Sequence, residues 1–117
     1  MRLNEVVFTD AKPVESYGPG FFRIGGDVVH GAMLVGPGGV QSWAGYDDPD
    51  AVSVLAGDVD VVFVGTGADV AHLPETFRDQ LEAAGLGVEA MSSPAACRTY
   101  NVLLSEGRRI ALAALPV

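Results

Sequence analysis

Residues 91–117 read MSSPAACRTYNVLLSEGRRIALAALPV and predict a helix that leads directly into a buried strand. Ser93 is a suitable N-cap, because its hydroxyl can accept a hydrogen bond from an otherwise unpaired backbone N–H. Pro94 follows at the first helical position, where its missing donor costs nothing, and Gly107 offers an unstrained residue to end the helix. Residues 110–115 form an unbroken apolar run, which is typical of a strand covered on both faces.

The polar residues of this segment fall in two short runs, Ala96-Cys97-Arg98-Thr99-Tyr100-Asn101 and Glu106-Gly107-Arg108-Arg109. Both runs resemble the signature of a small α/β family, the Mth-type domain, which has no established biochemical activity. The resemblance extends through Val64-Gly65-Thr66-Gly67, Trp43 and Gly31, and so covers nearly the whole chain. Eukaryotic members of that family include a mitochondrial respiratory complex I assembly factor and an adipogenesis-associated protein. The resemblance therefore implies an α/β fold and, by analogy, an assembly role.

The segment before the helix predicts alternating strands and helices. Residues 60–64 are strongly β-forming and end at Gly65-Thr66-Gly67, Pro74 begins a helix that ends at Gly85, and residues 88–91 form the next strand. From residue 60 onward the order is thus strand, helix, strand, helix, strand, which favours an α/β sheet.

The first half of the chain predicts antiparallel strands. Residues 1–20 are interpreted as an arm, with an apolar piece at 6–8 followed by a polar loop. Residues 21–24 and 28–35 are predicted to pair across a Gly-Gly-Asp turn, with Gly31 marking a bulge or a close backbone approach. Residues 40–43 follow as a third strand and 49–56 as a short helix. The predicted fold is one three-layer α/β domain over residues 1–117, with a central mixed β-sheet, helices on its faces and an N-terminal antiparallel strand region.

Composition narrows the functional classes. Seven basic and fifteen acidic residues give a formal net charge of -8, which disfavours nucleic acid as a partner, because phosphate binding needs a positive surface. The single Cys fits a reducing compartment. No apolar run approaches the roughly 20 residues that cross a bilayer, so stable membrane insertion is not expected. The N-terminus shows neither a signal-peptide core nor a transit pattern, and we expect a cytoplasmic protein.

The best candidate site lies at one edge of the predicted sheet. If the strands ending at residues 64 and 91 are parallel, the turns that follow them meet, and open α/β sheets bind ligands at such an edge. Unpaired N–H groups there would attract a small anion. The predicted ligand-binding residues are Gly65, Thr66, Gly67, Ser93, Cys97 and Arg98.

Several residues admit two interpretations. Cys97 in a first helical turn can be a reactive thiolate or a buried small apolar side chain, and the buried interpretation is preferred. Arg98 either pairs with Glu106 or Glu89 or binds an anion. Tyr100 and Asn101 are expected to bond neighbouring loops rather than act in catalysis.

Three further features are interpreted as structural. His30 has no partner spaced for acid–base catalysis, the acidic turn at residues 47–50 fits a helix cap better than a metal site, and Trp43 is expected to be a core anchor whose indole N–H finds a carbonyl. No cofactor, metal site or catalytic residue is predicted.

Two functions from different classes remain. The first is a non-enzymatic binding or assembly module with a protein partner, which by analogy with the family would assist biogenesis of a respiratory or other membrane complex. The alternative is an enzyme or a protein that binds a small anion or metabolite weakly in the crevice at Thr66, Cys97 and Arg98.

Overall fold

The apolar run at the C-terminal end forms the centre of a five-stranded sheet. The structure is a computed structural model that describes residues 11–117. In these residues the elements are β1 (Val14–Gly18), β2 (Phe21–Ile24), β3 (Asp27–His30), β4 (Met33–Gly36), β5 (Gly39–Ser42), α1 (Asp50–Ser53), β6 (Val61–Gly65), α2 (Glu75–Ala83), β7 (Gly87–Met91), α3 (Ser93–Ser105) and β8 (Ile110–Ala114).

The sheet is mixed, with strand order β5-β4-β8-β6-β7. β8 runs parallel to β6 and antiparallel to β4, and β6 runs parallel to β7. All five residues of β8 are buried, as expected of a strand with neighbours on both edges and layers on both faces. The predicted mixed α/β sheet is confirmed.

Side chains alternate along β8 between two apolar cores. Ile110, Leu112 and Ala114 face α3 and the N-terminal strands. Ala111 and Ala113 face the opposite side, where the core contains Trp43 and residues of α1 and α2, such as Val52, Phe77 and Leu81. Helices therefore cover both faces of the sheet, which confirms the predicted three layers. Leu115, predicted to lie in this strand, instead follows its end and is half-buried.

The chain leaves one sheet and enters the other at Gly31. β1, β2 and β3 form a separate antiparallel sheet, so the single strand predicted at residues 28–35 is wrong. Gly31 has a φ of 83°, which a strand residue with a side chain rarely adopts, and its N–H donates to the Gly20 carbonyl at 2.8 Å. The chain bends there, so β3 pairs with β2 while β4 pairs with β8.

The predicted N-terminal arm is also only partly correct. Residues 14–18, expected in a polar loop, form β1 and pair with β2. The apolar piece at residues 6–8 lies outside the described residues. The predicted helix at 49–56 is shorter, with α1 ending at Ser53, whereas the elements from β6 to β8 lie within one or two residues of their predicted positions.

Candidate functional site

The two turns predicted to meet do lie together at one edge of the sheet. Because β6 and β7 are parallel, the turn after Gly65 and the start of α3 come from the same end. Ser93 joins them: its Oγ accepts from the Gly67 N–H at 2.9 Å and donates to the Leu115 carbonyl at 2.6 Å. The Ser93 N–H donates to the Gly67 carbonyl at 2.7 Å. The buried Ser93 hydroxyl thus ties α3, the β6 turn and the segment after β8 to one another.

The predicted N-cap is wrong by one residue. Ser92 is the N-cap of α3, and its Oγ accepts from the Ala95 N–H at 3.4 Å. Ser93 is therefore already helical, and it is 1% exposed. Ser92 and Ser93 both precede Pro94, so the local sequence does not show which of them is the N-cap. Only the tertiary contacts of Ser93 distinguish it from Ser92.

Unpaired N–H groups were expected at this edge, and that expectation is wrong at two positions. The Thr66 N–H donates to the Met91 carbonyl at 2.9 Å, and the Gly67 N–H donates to Ser93. The Thr66 hydroxyl donates to the Asp69 carbonyl at 2.7 Å and accepts from the Ala71 N–H at 3.1 Å. The Thr66 and Gly67 N–H groups are therefore already paired within the fold.

Gly65 is required by close packing. A Cβ at this position would lie 2.6 Å from Ser93 Oγ and 2.9 Å from Ser93 Cα. Both distances are shorter than a carbon atom tolerates, so the glycine lets β6 pass directly beneath the first turn of α3.

Cys97 is buried, as predicted. Its side chain is 4% exposed and belongs to the core between α3 and the central sheet. Burial raises the pKa of the Cys97 thiol from 9.0 to about 11, because the thiolate loses its hydration. The thiol is therefore neutral at physiological pH.

Arg98, the next residue, is exposed. Within residues 11–117 it makes no ion pair or hydrogen bond, so neither Glu106 nor Glu89 is its partner. Arg98 and Cys97 line a hollow of about 220 Å³ against β1, and Arg98 also borders a shallow hollow of about 380 Å³ beside Val102. Thr66 lines neither hollow. The six predicted residues thus separate into a closed turn (Gly65, Thr66, Gly67, Ser93), the buried Cys97 and the exposed Arg98.

Tyr100 and Asn101 anchor the N-terminal segment, as expected of residues that bond neighbouring loops. The Tyr100 hydroxyl donates to the Lys12 carbonyl at 2.9 Å, and burial raises the Tyr100 pKa well above 10.0. Asn101 accepts from the Val14 N–H at 2.8 Å and donates to the Val14 carbonyl at 2.9 Å. Its amide matches the donor and acceptor of one peptide residue, as a neighbouring strand would.

Trp43 and the acidic turn at residues 47–50 make contacts that stabilise the fold. Trp43 donates its indole N–H to the Asp48 carbonyl at 3.0 Å, which confirms the predicted anchor. Asp48 accepts from the Ala51 N–H at 3.4 Å, and Asp50 accepts from the Gln80 amide. Across residues 11–117, no three His, Cys, Asp or Glu side chains are grouped so as to hold a metal.

Two basic residues of the second motif precede β8 rather than lie in it. Arg109 pairs with Asp60 at 3.2 Å and donates to the Gly57 carbonyl at 3.0 Å, and Arg108 is exposed. His30 and His72 are exposed as well. None of the helices in residues 11–117 is long and apolar enough to span a membrane.

Comparison with known sequences identifies relatives. Residues 14–115 match a family described as "Protein of unknown function (DUF498/DUF598)". An uncharacterized protein of Rhodobacter capsulatus is 49% identical over 117 residues, which is 100% of this chain and 94% of that protein. NADH dehydrogenase (ubiquinone) 1 alpha subcomplex assembly factor 3 of Danio rerio is 33% identical over 110 residues, covering 88% of this chain. This chain spans only 63% of that assembly factor's length.

Comparison with solved structures identifies proteins of the same fold, in agreement with the sequence comparison. A crystal structure described as an outer membrane protein from Bartonella henselae superposes with a TM-score of 0.84 at 31% identity, covering 95% of this chain and 99% of that one. The solution structure of a Bordetella pertussis protein, described as a Mth938-like domain, gives a TM-score of 0.74 at 30% identity, covering 99% and 92%. The family model and these folds together confirm the resemblance carried by the helix motif: the chain belongs to the DUF498/DUF598 family of Mth938-like domains.

Proposed function

We propose that this chain is a non-enzymatic, cytoplasmic protein-binding module that assists the assembly of a membrane protein complex. Its similarity to NADH dehydrogenase assembly factors supports the proposal and points to a respiratory complex as the object of assembly. Because the chain spans less than two thirds of those factors, it would supply the binding domain that they share with it.

The observation that carries the proposal is that the side chains of the α3 motif differ in their surroundings: some are packed inside the protein and one is exposed. Cys97, Tyr100 and Asn101 face inward and hold the core and β1. Arg98, in the middle of the same motif, instead presents at the surface a guanidinium that has no ion pair within residues 11–117. The Arg98 side chain is therefore available for contact with a partner.

The surroundings of Arg98 resemble a protein interface. Tyr17 of β1 is 42% exposed and shares one hollow with Arg98, and Val102 is 52% exposed and shares the other. We call the surface formed by Tyr17, Pro94, Arg98 and Val102 the α3 face. Tyr and Arg, together with Trp, are enriched among the residues that dominate binding energy at protein interfaces.

The charge of the α3 face defines the partner. The exposed Arg98 guanidinium favours a carboxylate, which it can bind through two parallel hydrogen bonds, and this local attraction acts against the net charge of -8 of the whole chain. Exposed Tyr17 and Val102 supply apolar contacts on either side. The partner is therefore a protein surface that carries an Asp or Glu beside an apolar side chain.

The test combines deletion with a charge reversal. Cells lacking the chain are complemented with wild type, Arg98→Glu or Arg108→Glu, and the assembled NADH dehydrogenase is quantified on native gels. Arg108→Glu is the matched control, because it makes the same charge change at an exposed site outside the α3 face. We expect less assembled complex in the deletion and in Arg98→Glu, and normal levels in Arg108→Glu. Unchanged assembly in the deletion strain would refute an assembly role.

Arg98 also supports the alternative of a small-anion ligand. In that case millimolar phosphate should shift the side-chain N–H signal of Arg98 in NMR spectra, and salt should weaken the effect. Since the Gly67 N–H is already bonded to Ser93, its signal should move little. If phosphate leaves Arg98 unaffected, the anion-binding alternative is excluded and the protein-binding proposal is not.

A further inference from the structure

The outer edge of β7 carries backbone groups that no other strand within residues 11–117 uses. β7 is the last strand of the five-stranded sheet. The Gly87 N–H donates to the Asp60 carbonyl at 2.9 Å, and the Met91 carbonyl accepts from Thr66 at 2.9 Å, so residues 87, 89 and 91 direct their backbone groups toward β6. Backbone groups alternate sides along a strand, and those of Val88 and Ala90 therefore point outward.

One of these four outward groups has a partner within residues 11–117. Arg78 Nη1 lies 3.5 Å from the Val88 carbonyl, a long contact, and the same nitrogen lies 3.3 Å from Glu82. No hydrogen bond within the described residues reaches the Val88 N–H, the Ala90 N–H or the Ala90 carbonyl. The unpaired groups are a template for another extended backbone.

A groove runs along this edge. Its volume is about 530 Å³, and it is lined by residues 70–73, Arg78 and residues 88–90. The wall opposite the strand is preformed, because the Thr66 hydroxyl accepts from the Ala71 N–H and donates to the Asp69 carbonyl. Val70, which is 66% exposed, lies in that wall.

We propose that the β7 edge binds an extended segment of a partner protein as an added strand, with a lysine or arginine of that segment opposite Glu89. The backbone groups of Val88 and Ala90 would pair with the segment, and the exposed Glu89, which has no ion pair within residues 11–117, would select the basic side chain. Pairing with a second copy is disfavoured. A two-fold arrangement centred on Glu89 places two carboxylates directly opposite each other, which is destabilising.

This surface is separate from the α3 face. None of the residues that line the groove belongs to that face. The β7 edge therefore adds a second contact surface to the proposed assembly module. The proposal for this edge is tested independently of the proposal for Arg98.

The test uses two synthetic peptides of alternating valine and threonine, about seven residues long, with a central lysine in one and a central glutamate in the other. Each is titrated into the ¹⁵N-labelled chain. The lysine peptide should shift the amide signals of Val88, Ala90 and residues 70–73 and slow hydrogen exchange at Val88 and Ala90. The glutamate peptide should bind at least several-fold more weakly, and Glu89→Lys should reverse the preference.

Ala90→Pro and Ala90→Thr provide the matched pair of variants. Proline removes the outward N–H without breaking a bond to β6, whereas threonine keeps that N–H. Binding should be lost in Ala90→Pro and kept in Ala90→Thr, with spectra outside the edge unchanged in both. Equal binding by the two variants, no shift at Val88 and Ala90 with either peptide, or self-association of the chain through this edge would each overturn the proposal.

Discussion

Cys97 lies within the motif of α3, yet its thiol is expected to be unreactive. The residue lies in the first turns of α3, where a helix N-terminus often lowers the pKa of a thiol. Burial instead raises its pKa to about 11, because the surrounding core offers the thiolate no solvation. Desolvation by burial is therefore the cause of the raised pKa at this site.

Alkylation of Cys97 in the folded protein should accordingly be slow at pH 7. With a pKa of about 11, roughly one thiol in ten thousand is ionised at that pH, and the side chain is almost inaccessible. Iodoacetamide labelling followed by mass spectrometry measures the rate, with the urea-unfolded chain as control. If folded and unfolded protein react equally fast, Cys97 is an exposed thiol and the buried assignment is wrong.

Ser93 is the buried polar residue on which the edge of the sheet depends. Ser93→Ala should lower the free energy of unfolding by roughly 1–3 kcal/mol, because the Gly67 N–H and the Leu115 carbonyl both lose their partner. Ser105→Ala is the control on the same helix. That hydroxyl is exposed and, within residues 11–117, bonds only the Val102 carbonyl, so its loss should cost less than about half a kilocalorie. Urea denaturation measures the free energy of unfolding of both variants. Equal losses of that free energy would contradict the bridging role of Ser93.

At the level of elements, β8 holds the two halves of the sheet together. It pairs with β4 on one edge and β6 on the other, and its alternating side chains enter both cores. The strand is rich in alanine on the face toward α1 and α2, where Trp43 and Phe77 supply the bulk. Large and small residues thus complement each other across the layers.

Leu112→Ala should destabilise the protein by roughly 2–5 kcal/mol, through lost burial and the cavity left behind. Leu112 is 0% exposed and faces α3. Val102→Ala on the exposed side of α3 is the control and should cost less than about half a kilocalorie. Thermal or urea unfolding measures both changes. A loss for Leu112→Ala as small as that of the control would place the strand outside the core.

For the whole molecule, the raised pKa values of Cys97 and Tyr100 predict sensitivity to alkali. In the unfolded chain the thiol ionises near pH 9.0, whereas in the folded protein its pKa is about 11. The Tyr100 pKa is also raised above 10.0 by burial. The folded state therefore holds these protons more tightly, and deprotonation favours unfolding.

The free energy of unfolding should consequently fall as the pH rises from about 9 through 11, while the contribution of both groups stays constant below pH 9. Tyr100→Phe should reduce the slope above pH 10, because one titrating group is removed. It should also cost about 1 kcal/mol at pH 7 through the lost bond to the Lys12 carbonyl. Urea unfolding at several pH values tests this, and parallel curves for wild type and Tyr100→Phe would show that Tyr100 does not contribute.

The sequence predicted the fold best where helix-capping residues and apolar runs were clear. Pro94, Gly107 and the apolar run at 110–115 correctly indicated α3 and β8, because capping chemistry and hydrophobic runs act within a few residues. β1 could not be predicted in the same way. Its sequence VESYG is largely polar, and it is held by Asn101, which lies 87 residues away in sequence.

The candidate site was predicted only in part for a related reason. Parallel pairing of β6 and β7 correctly brought Gly65 and Ser93 together. Whether their polar groups would face a ligand or each other depends on a separation of 2.9 Å between Ser93 Oγ and the Gly67 nitrogen. No spacing along the chain encodes that distance. The free edge of β7 was not predicted either, because edge position follows from the strand order of the whole sheet.

The central place of β8 has a consequence for protein synthesis. Of the eight strands in residues 11–117, the ribosome makes β8 last, yet β4 and β6 meet only through it. Until β8 is made, the β4–β5 hairpin and the β6–β7 unit therefore lack the strand that joins them, and the edges of β4 and β6 that pair with β8 stay open. Newly made chains are then the form most in need of a chaperone, and a premature stop before Ile110 would leave two separate sheet fragments rather than a smaller folded protein.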